Sequence, residues 1–231
     1  MKKRFFLLFI YILLWHSTVA QEQKAAPLVE RPLNALTFDL LSPVYLSWGP
    51  SNLSRWRLGY RHQLNKRWAI GADLGYGNNY IAIVMEGQDY VLYELRPELH
   101  YLLQLGQRTR VYFSAQPFYL IHTETLINRS VFIQEIGQVS FDSVTYQRNK
   151  YGLTLNYGFI FPMARSMGLN VSIGGGLRRR ENSYKSFTNP KLEFYDDDHS
   201  PPYYDSDFPL TEFEFSFGVK VYFFTNNKID S

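Results

Sequence analysis

The sequence predicts an all-β chain, an eight-stranded antiparallel transmembrane β-barrel with up-and-down connections, and three observations carry that expectation. From residue 35 onward apolar and polar residues alternate with period two, the pattern of strands with one apolar and one polar face. Short and long connections alternate along the chain, as turns and loops do in a membrane barrel. Mean hydropathy is −0.25 and the one long apolar run lies at the N-terminus, which excludes a bundle of membrane helices of about 20 apolar residues each.

That N-terminal run reads as a secretory signal peptide over residues 1–20. Lys2, Lys3 and Arg4 precede the apolar stretch Phe5 to Trp15, and Thr18, Val19 and Ala20 supply the small residues of a cleavage site. Residues 21–33 read as a flexible periplasmic lead-in, and 34–231 as the barrel. Cleavage removes three of the 24 basic residues and none of the 21 acidic ones, so the formal charge of +3 belongs to the leader. The remaining chain is neutral and offers no basic face to a nucleic acid. Cysteine is absent, which excludes disulfides, thiolate metal centres and a cysteine nucleophile.

The strands follow in order. A first, near Ala35 to Leu41, sets Leu36, Phe38 and Leu40 opposite Thr37 and Asp39. The second sets Trp56, Leu58 and Tyr60 opposite Arg57, Gly59 and Arg61, and the third sets Trp68, Ile70, Ala72, Leu74 and Tyr76 opposite Ala69, Gly71, Asp73 and Gly75. In the fourth, Val91, Tyr93, Leu95, Leu99 and Tyr101 oppose Leu92, Glu94, Arg96, Glu98 and His100; in the fifth, Val111, Phe113, Ala115 and Tyr119 oppose Tyr112, Ser114 and Gln116. The sixth alternates Leu153, Leu155, Tyr157, Phe159 and Phe161 with small or polar residues, and the seventh does so with Leu169, Val171, Ile173 and Leu177. The last is clearest: Phe213, Phe215, Phe217, Val219, Val221 and Phe223 share one face, expected to meet lipid, while Glu212, Glu214, Ser216, Gly218 and Lys220 share the other.

Connections at Asn65–Arg67, Leu103–Arg108 and Pro162–Met167 are tight, and those at Ser42–Ser54, Gly77–Tyr90, His122–Lys150 and Glu181–Thr211 are long. In lipid no backbone polar group tolerates a sheet edge, so a spanning sheet must close on itself. Trp68, Tyr101, Phe161 and Phe223 near the turns, with Trp56, Tyr76, Tyr93, Tyr119 and Tyr151 near the loops, fit two interfacial belts. Pro97 and Pro117 interrupt the fourth and fifth strands and predict a bulge or bend there, because proline cannot donate to the ladder.

Four segments carry a family resemblance: Leu58–Gly71 (LGYRHQLNKRWAIG), Tyr151–Phe159 (YGLTLNYGF), Gly168–Arg180 (GLNVSIGGGLRRR) and Phe217–Phe223 (FGVKVYF). They resemble the small OmpA/OmpX-like outer-membrane β-barrel proteins common in Bacteroidota. The resemblance implies fold and an outer-membrane location, with barrel-assembly machinery and outer-membrane lipid as partners, and it implies no catalytic residue. One departure is the tail Thr225 to Ser231, which extends beyond the aromatic pair Phe223 and Phe224.

An eight-stranded barrel is narrow enough for side chains to fill it. The expected lumen network comprises Asp39, Asp73, Glu94, Glu98, Glu212 and Glu214 with Arg57, Arg61, Arg96, Arg178, Lys220 and His100. Buried charges must pair, so the bland reading is an ionic plug and the sharper one a narrow, porin-like path. An outer-leaflet lipid enzyme would need His122 and Glu124 with a nucleophile such as Ser130, a weak constellation; His100 beside Glu98 lies at the periplasmic depth.

The last loop holds Phe194, Tyr195, Asp196, Asp197, Asp198, Tyr203 and Tyr204 around Pro201 and Pro202, flanked by Glu193, Asp205 and Asp207. Its spacing does not match a calcium-binding EF-hand loop, and aromatics among acids and prolines suit docking to an extracellular protein or glycan. Asp142-Ser143-Val144 resembles a glycosylation site on a loop. No cofactor or metal is implied. The expected role is structural or interactive, carried by the long loops.

Overall fold

The computed structural model describes residues 33–43, 54–80, 88–103, 109–134, 136–164, 166–193 and 207–225. Among them the strands are β1 (Ala35–Asp39), β2 (Trp56–Gln63), β3 (Trp68–Asn78), β4 (Gln88–Leu103), β5 (Arg110–Ile133), β6 (Gly137–Pro162), β7 (Met167–Thr188), β8 (Lys191–Glu193) and β9 (Leu210–Phe224). Each of β2 to β7 pairs antiparallel with its predecessor, β9 pairs with both β7 and β1, and eight strands therefore form a closed ring. The short β8 sits outside it, on β6 at Gln138–Ser140. The expected signal peptide, most of the lead-in and the aromatic-acidic loop 194–204 lie outside the described residues. Leu33, the described end of the lead-in, is fully buried, and its N–H donates to Gln63 Oε1 at 2.5 Å.

The ladders fix the stagger of the ring. From Val221 of β9 the cross-strand partners run Phe38, Leu58, Leu74, Leu95, Tyr119, Tyr151 and Arg179, and arrive back on β9 at Thr211, ten residues from the start. With ordinary strand rise and spacing, that shear gives a tilt of about 40° and a backbone radius of about 8 Å.

Period-two alternation turns apolar side chains outward. Phe213, Phe215 and Phe217 are exposed on β9, as are Leu153 and Leu155 on β6 and Leu58 and Leu74 on β2 and β3. The charged residues between them are the buried ones: Arg61 is 0% exposed, Asp73 1% and Glu94 4%. Inward glycines make room for them. A side-chain carbon at Gly59 would lie 1.9 Å from Asp73 Oδ1, and one at Gly71 would lie 2.3 Å from Arg61 Cδ.

Among the described residues, two of the expected loops contain long stretches of strand. β5 and β6 run through His122–Lys150 as one hairpin, paired from Arg110↔Ile160 to Ile133↔Gly137, and β7 continues to Thr188. The period-two signal persists there with its faces exchanged. Below Tyr151 the outward residues are Tyr, Leu and Phe; above it they are Asn149, Gln147 and Thr145 on β6, with Thr123 and Thr125 on β5. Inward, the charges give way to an apolar cluster of Leu126, Val131, Phe141, Val144 and Tyr146, with Tyr184 and Phe187 against it. This three-stranded crest therefore has its own core, and its exterior between Tyr151 and the crease at Asn128 is polar, with Ile127 exposed at the crease and Ile136 beyond it.

The crest is creased across its width. Asn128 has φ 51°, the β6–β7 register shifts between Ser143 and Thr145, and Ser186 has φ 57°. Beyond the crease the hairpin tip meets the segment leading into β9. Asp207 N–H donates to Phe132 O at 3.4 Å, Gln134 N–H donates to Asp207 Oδ1 at 3.0 Å, and Phe132 stacks on Phe208 at 6.0 Å.

The expected bulge at Pro97 and Pro117 does not form. The β4–β5 register is the same on either side, Leu95↔Tyr119 and Leu99↔Ala115, with the intervening pairings absent; the β4–β5 shift lies between Gln88 and Val91. The first strand also ends earlier than expected, at Asp39, whose carboxylate accepts the N–H groups of Leu41 and Ser42 at 2.9 and 3.0 Å and so takes both from the ladder.

Candidate functional site

The ring interior is layered. At the turn end lies an apolar floor of Leu33, Ala35, Ala69, Leu102, Tyr112, Ile160, Tyr222 and Phe224. Phe223 points outward and Phe224 inward, so the terminal aromatic pair serves both faces.

Above the floor the structure brings together nine of the expected lumen residues. Arg61 Nη2 lies 2.9 Å from Asp73 Oδ1 and 2.5 Å from Glu98 Oε2. Lys220 Nζ reaches the same two carboxylates at 2.7 and 3.7 Å, and His100 Nε2 lies 3.3 Å from Glu98. Arg57 bridges Asp39 at 2.8 Å and Glu94 at 2.7 Å, and Arg96 holds the other Glu94 oxygen at 2.5 Å. Arg55, which the sequence reading left at the edge of a loop, also pairs with Glu94. Arg96 stacks over Phe118 at 4.4 Å. Carboxylates and bases alternate through the group, the arrangement that desolvated charges require.

Arg178, Glu212 and Glu214 form a second group nearer the crest. Both carboxylates grip the Arg178 guanidinium at 2.6 Å. Arg148, Lys150, Arg180 and Glu124 join this level and are all buried. The sequence reading placed Arg148, Lys150 and Glu124 in a loop, took Glu124 only as an enzyme candidate, and stopped its seventh strand short of Arg180. Their even-numbered, inward positions on β5, β6 and β7 continued the alternation and were the available signal.

Between the two groups and the crest core, Tyr90, Leu92 and Leu120 pack together, and His122 lies between the rings of Tyr90 and Tyr146 at 5.0 and 5.7 Å. His122 sits on a strand rather than in a loop, fully buried, above the outward apolar residues. Burial holds its pKa below the ordinary histidine value; Glu124, 3.5 Å away, opposes the shift, and Arg148 and Lys150 reinforce it. The Tyr146 hydroxyl is raised to about 12 by the same burial.

Ser130 lies eight positions along β5 from His122, roughly 26 Å of extended chain, and its Oγ accepts from Gln138 Nε2 at 3.0 Å. The structure does not bring the expected enzyme candidates together. Asp142 and Ser143 are on β6 rather than in a loop; Asp142 accepts from Asn189 Nδ2 at 2.6 Å and Ser143 Oγ donates to Thr188 Oγ1 at 3.0 Å. Among the described residues there is no cluster of three metal-ligating side chains.

No protein-family model matches the chain, and no curated protein does. Among solved structures, CarO of Acinetobacter baumannii is similar over 84% of this chain and 98% of its own, at 13% identity and a TM-score of 0.37.

Proposed function

We propose that this chain is an outer-membrane β-barrel with a structural and surface-interaction role, in which the closed ring is the anchor and the crest is the part presented outside the cell. The observation that carries this reading is the outward apolar band. On β6 it runs from Tyr151 to Phe161, ten residue steps, which at the tilt derived above is about 25 Å, the height of such a band in outer-membrane barrels. Its upper limit coincides with the first outward charge on β7, Arg179, whose Nε donates to Glu181 Oε1 at 3.0 Å beside the Tyr151 hydroxyl. The exchange of faces above that line supports water as the solvent of the crest. The expected signal peptide supports export.

The filled interior favours an anchor over a conduit. An apolar floor and the Tyr90, Leu92 and Leu120 layer close the ring at two levels, as expected of eight strands. The test is cell fractionation combined with gel mobility of heated and unheated samples. An outer-membrane fraction and a faster-migrating unheated form are expected, and recovery in the soluble fraction overturns the reading. Planar-bilayer recordings should be silent; a conductance abolished in Arg96→Ala or Glu98→Ala would replace the anchor with a narrow channel.

A further inference from the structure

The hairpin of β5 and β6 is too long to stand upright on the ring. Leu210 of β9 shares a cross-strand row with Arg180, Lys150 and Leu120. Phe132 lies twelve residues beyond Leu120 on β5, about 40 Å of extended strand. Its carbonyl nevertheless accepts from Asp207, which is three residues, about 10 Å of chain, from Leu210. Both hold only if the hairpin turns back on itself and brings its end over the mouth of the ring, towards β9. The line of the turn is the crease. The β5–β6 ladder skips Asn128 and Asp142 between Ile127↔Ser143 and Arg129↔Phe141, the β6–β7 register shifts between Ser143 and Thr145, and Asn128 and Ser186 adopt left-handed backbone. The turn also accounts for the crest core, since a three-stranded sheet has to bury its apolar face against another element. Leu126, Val144 and Tyr146 below the crease pack with Val131 and Phe141 beyond it, so the two limbs of the folded hairpin cover each other.

We infer that the end of this hairpin beyond the crease is a hinged flap, closed over the mouth of the ring and held there by one clasp, the segment leading into β9. The hinge is the crease, where both ladders are interrupted at one level. The clasp comprises the bonds of Asp207 to Phe132 O and to Gln134 N–H, with the stacking of Phe208 on Phe132. It is slight: one of its hydrogen bonds is 3.4 Å long, and Phe208 keeps 39% of its surface exposed. Its place in the chain links it to the ring. Asp207 and Phe208 directly precede β9, the strand that closes the ring on β7 and β1, so the flap is secured only where β9 is seated. Closed, the flap conceals Leu126, Val131, Phe141 and Val144; opened at the crease, it uncovers them together above the ring. The device belongs to the crest and its clasp and stands whether or not the ring is embedded in lipid.

The absence of cysteine allows a direct test on the full chain refolded in detergent. Asn149 and Ile136 lie on either side of the crease, each about 20 Å of strand from it. Nitroxides on Asn149→Cys and Ile136→Cys should give a double electron–electron resonance distance below about 25 Å, whereas an upright hairpin gives about 40 Å. The longer distance overturns the closed flap. Hinge and clasp are read from thiol labelling of Val131→Cys, buried beneath the flap, with Ile160→Cys in the floor of the ring as the reference. Asp207→Ala with Phe208→Ala removes the side-chain bond and the ring stack, which should speed labelling of Val131→Cys by about tenfold and leave Ile160→Cys unchanged. Phe208→Ala alone, which keeps both hydrogen bonds, should act in the same direction by about threefold, so the reading does not depend on the double variant folding. An unchanged Val131→Cys rate in these variants overturns the clasp. An equal rise at both thiols means that the whole ring opens, and overturns the hinge.

Discussion

The register of the flanking pairs Leu95↔Tyr119 and Leu99↔Ala115 sets Pro97 of β4 opposite Pro117 of β5, where the ladder is interrupted. The three absent pairings are those that a single hydrogen-bonded pair at this point would define. Two missing donors therefore share one site, and the ladder forfeits one pair where separated prolines would forfeit two. In Pro117→Ala the new N–H should donate to the Pro97 carbonyl. Its hydrogen exchange should be as slow as that of neighbouring ladder amides; rapid exchange would mean that the strands are splayed there.

Arg61 should be the most costly single loss in the interior. It is fully buried between Asp73 and Glu98, and Arg61→Met leaves Lys220 to serve both carboxylates. Destabilisation of about 3–5 kcal/mol in urea unfolding is expected, the usual cost of stranding a buried charge. Adding Glu98→Gln should recover part of it, because one of the stranded charges is then removed. A neutral Arg61→Met would show that water reaches the group.

The position of the lipid boundary predicts opposite outcomes for one substitution at two outward sites. Leu155→Arg, near the middle of the apolar band, should cost about 2–4 kcal/mol in lipid, whereas Thr145→Arg on the crest should cost about 0–1 kcal/mol. Equal effects at the two sites in vesicle-refolding titrations would remove the boundary from between them.

His122 should make the crest base sensitive to acid. Its folded pKa is lowered by burial among Tyr90, Tyr146, Arg148 and Lys150, with Glu124 opposing, so the unfolded chain binds the proton first. The stability it confers is complete above the ordinary histidine value of about 6.5 and is lost as pH falls from there through the folded value. Urea midpoints should drop between about pH 7.5 and about pH 5, and His122→Gln should flatten that drop. An identical pH profile in the variant would assign the drop elsewhere.

The ring was legible wherever one solvent acted on each face. The strict apolar-polar alternation of Phe213 to Phe223 located β9 and its register of inward charges, and the same rule found Asp39, Arg57, Arg61, Asp73, Glu94 and Glu98 before any contact was known. The crest was not legible by that rule. At Lys150 and Tyr151 the apolar residues move to the other face, so a pattern sought in constant phase appears to stop, and the strand reads as a loop. The bulge expected at Pro97 and Pro117 did not form for a different reason: each residue was read alone, and their alignment is a property of register.

The exchange of faces on β6 acts as a ruler as well as a boundary. Each strand that crosses it obeys one solvent below Tyr151 and another above, with parity linking the two. An insertion of two residues below that point would lift the crest by one step and leave every side chain on its own side. An insertion of one would put the two stretches out of phase, so that either the phenylalanines turn toward the charges or the crest core turns toward water. Below the crease, length in these strands can therefore drift only in even steps, and the height at which the crest stands above the apolar band is quantised by the pleat.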